Sequence, residues 1–123
     1  MRYVILIYQD EGRVQELTRS ERLALEGEYA EVVDTMKASG RYLGSAPLRS
    51  TDTATTVRVR GGRRTITDGP VAETMEQLGD VFLIEARDLD AALDAAARVP
   101  GARTGSVEVR PLRNVHSLEE NEA

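Results

Sequence analysis

The stretch Thr67-Asp68-Gly69-Pro70-Val71-Ala72-Glu73-Thr74-Met75-Glu76-Gln77-Leu78-Gly79-Asp80 gathers carboxylates, a hydroxyl and a turn between two strand-like runs, RRTIT and VFLIEA. A plain connection between strands needs fewer and blander residues, which marks this one as a candidate site. Asp68 and Glu73 are the candidate catalytic pair. If they converge on a cleft, one serves as base and the other as acid, provided burial or mutual repulsion raises one pKa. The alternative is structural: PVAETMEQ forms one or two helical turns from Pro70, Asp68 accepts N–H bonds at their start, and the glutamates are solvated first-turn residues. Glu73 precedes Glu76 by three positions and Gln77 by four, so on a helix it shares a face with either.

Other polar residues add less. Tyr8 ends an apolar run and either packs at an interface or puts its hydroxyl into a cleft. Arg110 either binds a carboxylate ligand or forms a structural ion pair. His116 is the only histidine and falls in a patternless tail, which argues against a histidine base or a histidine-rich metal site. Asp10 and Glu11 have residue types that could join the central segment in a carboxylate metal site, but their spacing does not require it, and no metal is expected. Ser20, Ser39 and Ser45 have no base to activate them. Gly61-Gly62 lies between strand-like runs rather than leading from a strand into a helix, so it is not a phosphate-binding loop. No cofactor is expected.

Composition narrows the class. The 123 residues suit one domain, 41% are hydrophobic and 30% charged, as in ordinary globular proteins. The folded part is expected over 1–113, with an acidic disordered tail over 114–123. No apolar run approaches the roughly 18 residues that span a bilayer, and the short apolar opening lacks signal-peptide features, so a cytoplasmic protein is expected. With no cysteine there is no disulfide, thiolate metal site or cysteine nucleophile. A net charge of −5 with four tyrosines, one phenylalanine and no tryptophan is poorly suited to nucleic acid. Arg58, Arg60, Arg63 and Arg64 flank Gly61-Gly62 and read as a solvated hairpin tip.

The elements that must carry these residues follow from periodicity. RYVILIY at 2–8 is a strand apolar on both faces. Thr18 and Glu21 form a capping box for a helix with Leu25, Tyr29, Val32, Val33 and Met36 on one face, closed by Gly40. RYLGSAPL is a short edge strand interrupted at Gly44. ATTVRVR and RRTIT form a hairpin through Gly61-Gly62, with Val57 and Val59 on one face and Thr56, Arg58 and Arg60 on the other. VFLIEA is again apolar on both faces. Asp88 caps a second helix with Leu89, Ala92, Leu93, Ala96 and Val99 inward, ended by Pro100-Gly101, and SVEVRPL is the last strand.

The order β-α-β-β-β-β-α-β predicts a ferredoxin-like α+β sandwich with an enlarged middle, two helices covering one face of an antiparallel sheet. No helix is left for the second apolar face of YVILIY and VFLI. A second copy of the sheet is the simplest cover, so a homodimer packed face to face is expected.

TDGPVAETMEQLGDVFLIEARDLDAAL, with the opening MRYVILIY and the closing GSVEVRPL, resembles the DGPF branch of the YCII-related family over about residues 1–112. The resemblance implies a dimeric α+β barrel in cytoplasmic bacterial proteins, mostly without assigned activity, some encoded near or joined to alternative sigma factors. It also implies kinship with a member that takes part in breakdown of a chlorinated aromatic, and with branches that carry a histidine–aspartate pair. Asp68, Gly69 and Pro70 match the signature, and Glu73 and Thr74 its continuation. Val71 stands where the signature has phenylalanine and Met75 where lysine is common, which removes an aromatic wall and a cation. The histidine of the other branches is missing from the folded part. The expectation is a homodimeric module that binds or senses a small metabolite beside the Asp68–Glu73 loop, with Tyr8, Gly69, Pro70, Thr74 and Arg110 contacting ligand. The alternatives are a lyase or isomerase acting through Asp68 and Glu73, and a regulatory docking module linked to a sigma factor.

Overall fold

The structure is a computed structural model that describes residues 1–113; the tail expected over 114–123, with His116, lies outside the described residues. Six strands form as expected: β1 (Arg2–Gln9), β2 (Tyr42–Ser45), β3 (Thr55–Arg60), β4 (Arg63–Asp68), β5 (Gln77–Glu85) and β6 (Ser106–Pro111). Four helices accompany them: α1 (Glu11–Gln15), α2 (Arg19–Ala38), α3 (Leu89–Ala97) and α4 (Gly101–Thr104), with a 3-10 turn at Thr51–Thr53. The main sheet has the order β2-β5-β1-β6 with every pairing antiparallel, which is the ferredoxin-like arrangement. β3 and β4 pair only with each other, as a separate hairpin.

The helices form for the reasons read in the sequence. Thr18 accepts from the Glu21 N–H while the Glu21 carboxylate accepts from the Thr18 N–H, so the capping box is complete. Gly40, just past the Ser39 cap, takes φ +72°, which a residue with a Cβ adopts only under strain. Asp88 caps α3 through the Ala91 N–H.

The core lies between the sheet and α2–α3. Tyr3, Ile5 and Ile7 of β1 and Phe82 and Ile84 of β5 point into it, joined by Met36 from α2 and by Val99. Each such side chain contributes about 1.5–3 kcal/mol by leaving water. The face of α3 is rotated from the expected one: Ala91, Ala92, Ala95 and Ala96 are buried, while Leu89 and Leu93 stay about half exposed. An alanine stripe lets the helix axis lie close to the sheet, and the two leucines are left at its margin. Two glycines tighten the same contact. A Cβ on Gly101 would stand 2.6 Å from Ile7 Cγ2, and one on Gly105 would stand 2.1 Å from the Tyr8 carbonyl oxygen.

Among the described residues no helix lies over the other face of the sheet. Val4, Leu6 and Tyr8 alternate with the buried β1 residues and lie beside Val81, Leu83 and Leu78 of β5. All six are partly exposed, although all but the tyrosine are wholly apolar. β6 adds Glu108 and Arg110 to this outer face, while Val107 and Val109 turn inward. The hairpin forms and alternates as expected, and the structure decides its sides: Val57, Val59 and Ile66 are 56–59% exposed and the buried residue is Thr56. The cause is local: β3 leaves the main sheet, and Thr56 turns inward so that its hydroxyl can donate to the Gly69 carbonyl at 2.7 Å. No helix among the described residues is long and apolar enough to cross a membrane.

Candidate functional site

The segment following β4 does not form the expected helix. Residues 69–76 are irregular, because Gly69 takes φ +107° and turns the chain out of β4 instead of starting a helical turn at Pro70. Among the described residues Asp68 therefore caps no helix. It is the last residue of β4, paired with Thr55 and exposed. The loop is nonetheless held at both ends. At its start, Gly69 donates to the Ala54 carbonyl at 2.8 Å and accepts from Thr56. At its end, Thr74 caps back onto the Glu76 carbonyl, and Glu76 Oε1 accepts from the Ser106 hydroxyl at 2.7 Å.

Gln77 joins this loop to α1. Its Nε2 donates to the Thr74 carbonyl, and its Oε1 accepts from the Glu11 N–H at 2.9 Å. Glu11 in turn receives the Thr51 N–H and hydroxyl on its two carboxylate oxygens, both at 2.8 Å. Asp10 accepts from the Gly12 N–H as the cap of α1. These contacts correct the idea that Asp10 and Glu11 join the central segment in a metal site, since both carboxylates are committed to protein donors. Among the described residues no group of three or more metal-ligating side chains converges.

Tyr8, Pro70 and Thr74 are brought together. They line a cavity of about 550 Å³ on the outer side of the sheet, with Thr51, Gln77 and Arg49. Arg49 was not legible as a site residue, because it lies in a loop without periodicity. Gly69 sits behind this lining as the turn that aims Pro70 into it. Asp68 and Glu73 are exposed and do not line the cavity. Arg110 is opposite Val4, whereas Tyr8 is opposite Ser106. Four residues along an extended strand put it about 13 Å from the Tyr8 end of the sheet. There it forms an ion pair with Glu108 at 3.8 Å, with both side chains well exposed.

A second cavity, of about 480 Å³, lies on the helix side of the same sheet end. Its floor holds Asp80, which faces Ile7 across the ladder. The register slips between Ile7 and Tyr8, so that Tyr8 pairs with Leu78 and Gly79 is the extra residue of a β-bulge. Strict alternation would put Leu78 and Asp80 on one face. The bulge instead sends Leu78 outward with Tyr8 and Asp80 inward with Ile7. Burial holds the Asp80 carboxyl above the usual carboxylate range, partly offset by the Val81 N–H that it accepts at 2.8 Å. Tyr29 lines the same cavity, and its phenol is pushed up by burial first and by the charge of Asp80 second. Its oxygen accepts from Gln9 Nε2 at 3.2 Å.

An antiparallel four-stranded sheet with its two long helices on one side and a cavity at the end of β1 defines a ferredoxin-like α+β protein. The chain belongs to the YCII-related domain family, whose match spans residues 1–116. An uncharacterised protein of Rhizobium meliloti is 37% identical over 114 residues, covering 91% of this chain and 92% of its own length. Among solved structures, 5-chloro-2-hydroxyhydroquinone dehydrochlorinase of Burkholderia phenoliruptrix, in complex with 2,5-dihydroxybenzoquinone, superposes with a TM-score of 0.55. The overlap covers 94% of this chain and 97% of that one at 13% identity, which establishes a shared fold and nothing finer.

Proposed function

We propose that this chain works as a homodimer that binds a small metabolite in the cavity lined by Tyr8, Pro70 and Thr74, as a sensor or carrier in the cytoplasm. The observation that carries the reading is the uncovered outer face of the sheet. Val4, Leu6, Val81 and Leu83 run along this face away from the cavity at Tyr8 and are only partly buried in a single chain. Monomers seldom leave so continuous an apolar surface to water. A second sheet laid on it would bury these residues and roof the cavity, and would cover Val71 and Met75, which are 75% and 89% exposed. Arg49 and the Tyr8 hydroxyl suit a ligand with hydrogen-bond-accepting oxygens, and Glu76 in the same lining balances the charge of Arg49. Gly69 serves the site by aiming the loop, and Arg110 would act at the far rim of the roofed space.

Two measurements together test the reading. Sedimentation gives the mass of the particle, and a calorimetric screen of small oxygenated metabolites is repeated on Tyr8→Phe and Thr74→Ala. A dimer whose ligand is lost in those variants supports it. A monomer, or a ligand indifferent to both substitutions, overturns it.

An enzyme reading is favoured by one observation, the fold shared with a dehydrochlorinase. In it Asp68 and Glu73, exposed and without side-chain partners among the described residues, act as base and acid in an elimination or isomerisation of a small metabolite such as an aromatic. Asp68→Asn separates the readings: it abolishes turnover if the enzyme reading holds and leaves ligand affinity unchanged if binding alone is the function. The exposed apolar side of the hairpin favours docking onto a regulatory protein such as a sigma factor, tested by co-elution of the purified pair.

A further inference from the structure

The helix-side cavity is walled by Val14, Leu17, Leu25 and Leu48 and floored by Ile7. Most of the polar groups at its edge are already committed. Glu11 is bound by Thr51, and Gln77 is bound at both ends of its amide by Glu11 and Thr74. Two groups remain. Asp80 has one oxygen on the Val81 N–H, and among the described residues no cation pairs with it. Tyr29 receives a hydrogen bond from Gln9, which leaves its own O–H proton available.

The position of Asp80 is unusual for a residue without a ligand. It occupies the inward row of β5 that continues as Phe82 and Ile84, both almost fully buried. An apolar side chain there would extend the core and avoid desolvating a carboxylate. The remaining charges at the cavity are Glu11 and Glu26 against Arg22, so the lining is net negative. An anionic ligand would meet repulsion there, and a neutral one would leave the carboxylate without a counter-charge.

We infer that this cavity is a second small-molecule site, separate from the one beside the 69–76 loop, and that it takes an organic ammonium compound with its cationic nitrogen on Asp80 and its apolar body against Val14, Leu17, Leu25 and Leu48. Tyr29 offers its O–H to a second polar atom on the ligand. Ammonium–carboxylate hydrogen bonds are strong where water is partly excluded, and the volume of about 480 Å³ admits a ring with a short side chain. The site is reached without the outer face of the sheet, so it does not depend on dimer formation.

The test uses three probes of matched shape: 2-phenylethylamine, 2-phenylethanol and 3-phenylpropionate. Calorimetry on the full chain is expected to find the amine bound at least tenfold more tightly than the alcohol, with no binding of the carboxylate. Asp80→Asn keeps an acceptor for the Val81 N–H, and it is expected to weaken the amine at least tenfold while leaving the alcohol within about twofold. Tyr8→Phe and Thr74→Ala, which address the other cavity, are expected to leave amine affinity unchanged. Equal affinity for amine and alcohol overturns the inference. So does an Asp80→Asn chain that is folded by circular dichroism and binds the amine as the parent does, and so does loss of the amine in the Tyr8 or Thr74 variant alone.

Discussion

Leu83→Lys is the sharpest probe of the dimer proposed here. Leu83 sits on the outer face of β5 between Val4 of β1 and Gly44 of β2, and it is partly exposed in the single chain. Complete burial of a leucine is worth about 1.5–3 kcal/mol, so covering the remainder contributes roughly 1 kcal/mol per protomer. A lysine loses that gain and must also keep its ammonium wet, which opens the packed sheets locally or forces the side chain toward the rim. In a two-fold interface the change occurs twice. The combined loss is about 3–5 kcal/mol, or about two to four orders of magnitude in the dimer dissociation constant. The single chain loses little, since the face is open to water in it, and its thermal unfolding measured at dilution is expected to move by only a few degrees. Sedimentation velocity at micromolar concentration should find the parent as a dimer and Leu83→Lys as a folded monomer. A variant that sediments like the parent would refute the face-to-face packing, whatever the parent's mass.

Other perturbations test other parts of the structure. Burial raises the Asp80 carboxyl, so its contribution to stability is fully present below the unfolded carboxylate pKa and is lost as pH rises through the raised folded value. Asp80→Asn is therefore expected to melt higher than the parent at neutral pH, with the gap closing in mild acid; thermal scans across pH that show a constant or inverted gap would contradict this. Gly105→Ala places a Cβ against the Tyr8 carbonyl, and a contact of 2.1 Å can be relieved only by moving backbone. The expected cost is about 3 kcal/mol, read as a fall in melting temperature on the order of 10 °C. Glu11→Ala removes both acceptors of Thr51 and is expected to cost about 2 kcal/mol by denaturant titration, because hydrogen bonds to a charged group are among the stronger ones.

What could be read from the chain beforehand was whatever depends on period and caps. The two-faced runs of β1 and β5, the Thr18–Glu21 box, Gly40, Asp88 and the Gly61-Gly62 hairpin each have a local physical cause, and each stands where that cause puts it. The misreadings have tertiary causes. Pro70 suits the first turn of a helix, but Gly69 at positive φ and the pull of Thr56 on its carbonyl take the loop elsewhere. The i, i+3, i+4 pattern of α3 fits leucines and alanines equally well, and only the close approach to the sheet selects the alanines. The alternation of Val57 and Val59 against Thr56, Arg58 and Arg60 is legible, but alternation says nothing about which side is in.

Asp80 was missed for a different reason. Asp80 closes the candidate stretch just before VFLIEA, outside the expected strand, so periodicity assigns its side chain to neither face. In the structure β5 starts at Gln77, and the one-residue bulge at Gly79 decides which side each neighbour serves. Without the bulge, Leu78 and Asp80 would share a face, and either the leucine would leave the outer cavity or the carboxylate would leave the inner one. A single inserted residue thus gives the two sides of the sheet end different chemistry. Outside are a tyrosine hydroxyl, Arg49 and Glu76, a charge-balanced lining; inside is a carboxylate that no cation among the described residues pairs with, set among aliphatic walls. Gln77 lines both cavities, with Leu48 and Ser50, and its amide is hydrogen-bonded on each side. A net-negative lining inside and a charge-balanced one outside ask for different ligands, although the two cavities adjoin through Leu48, Ser50 and Gln77.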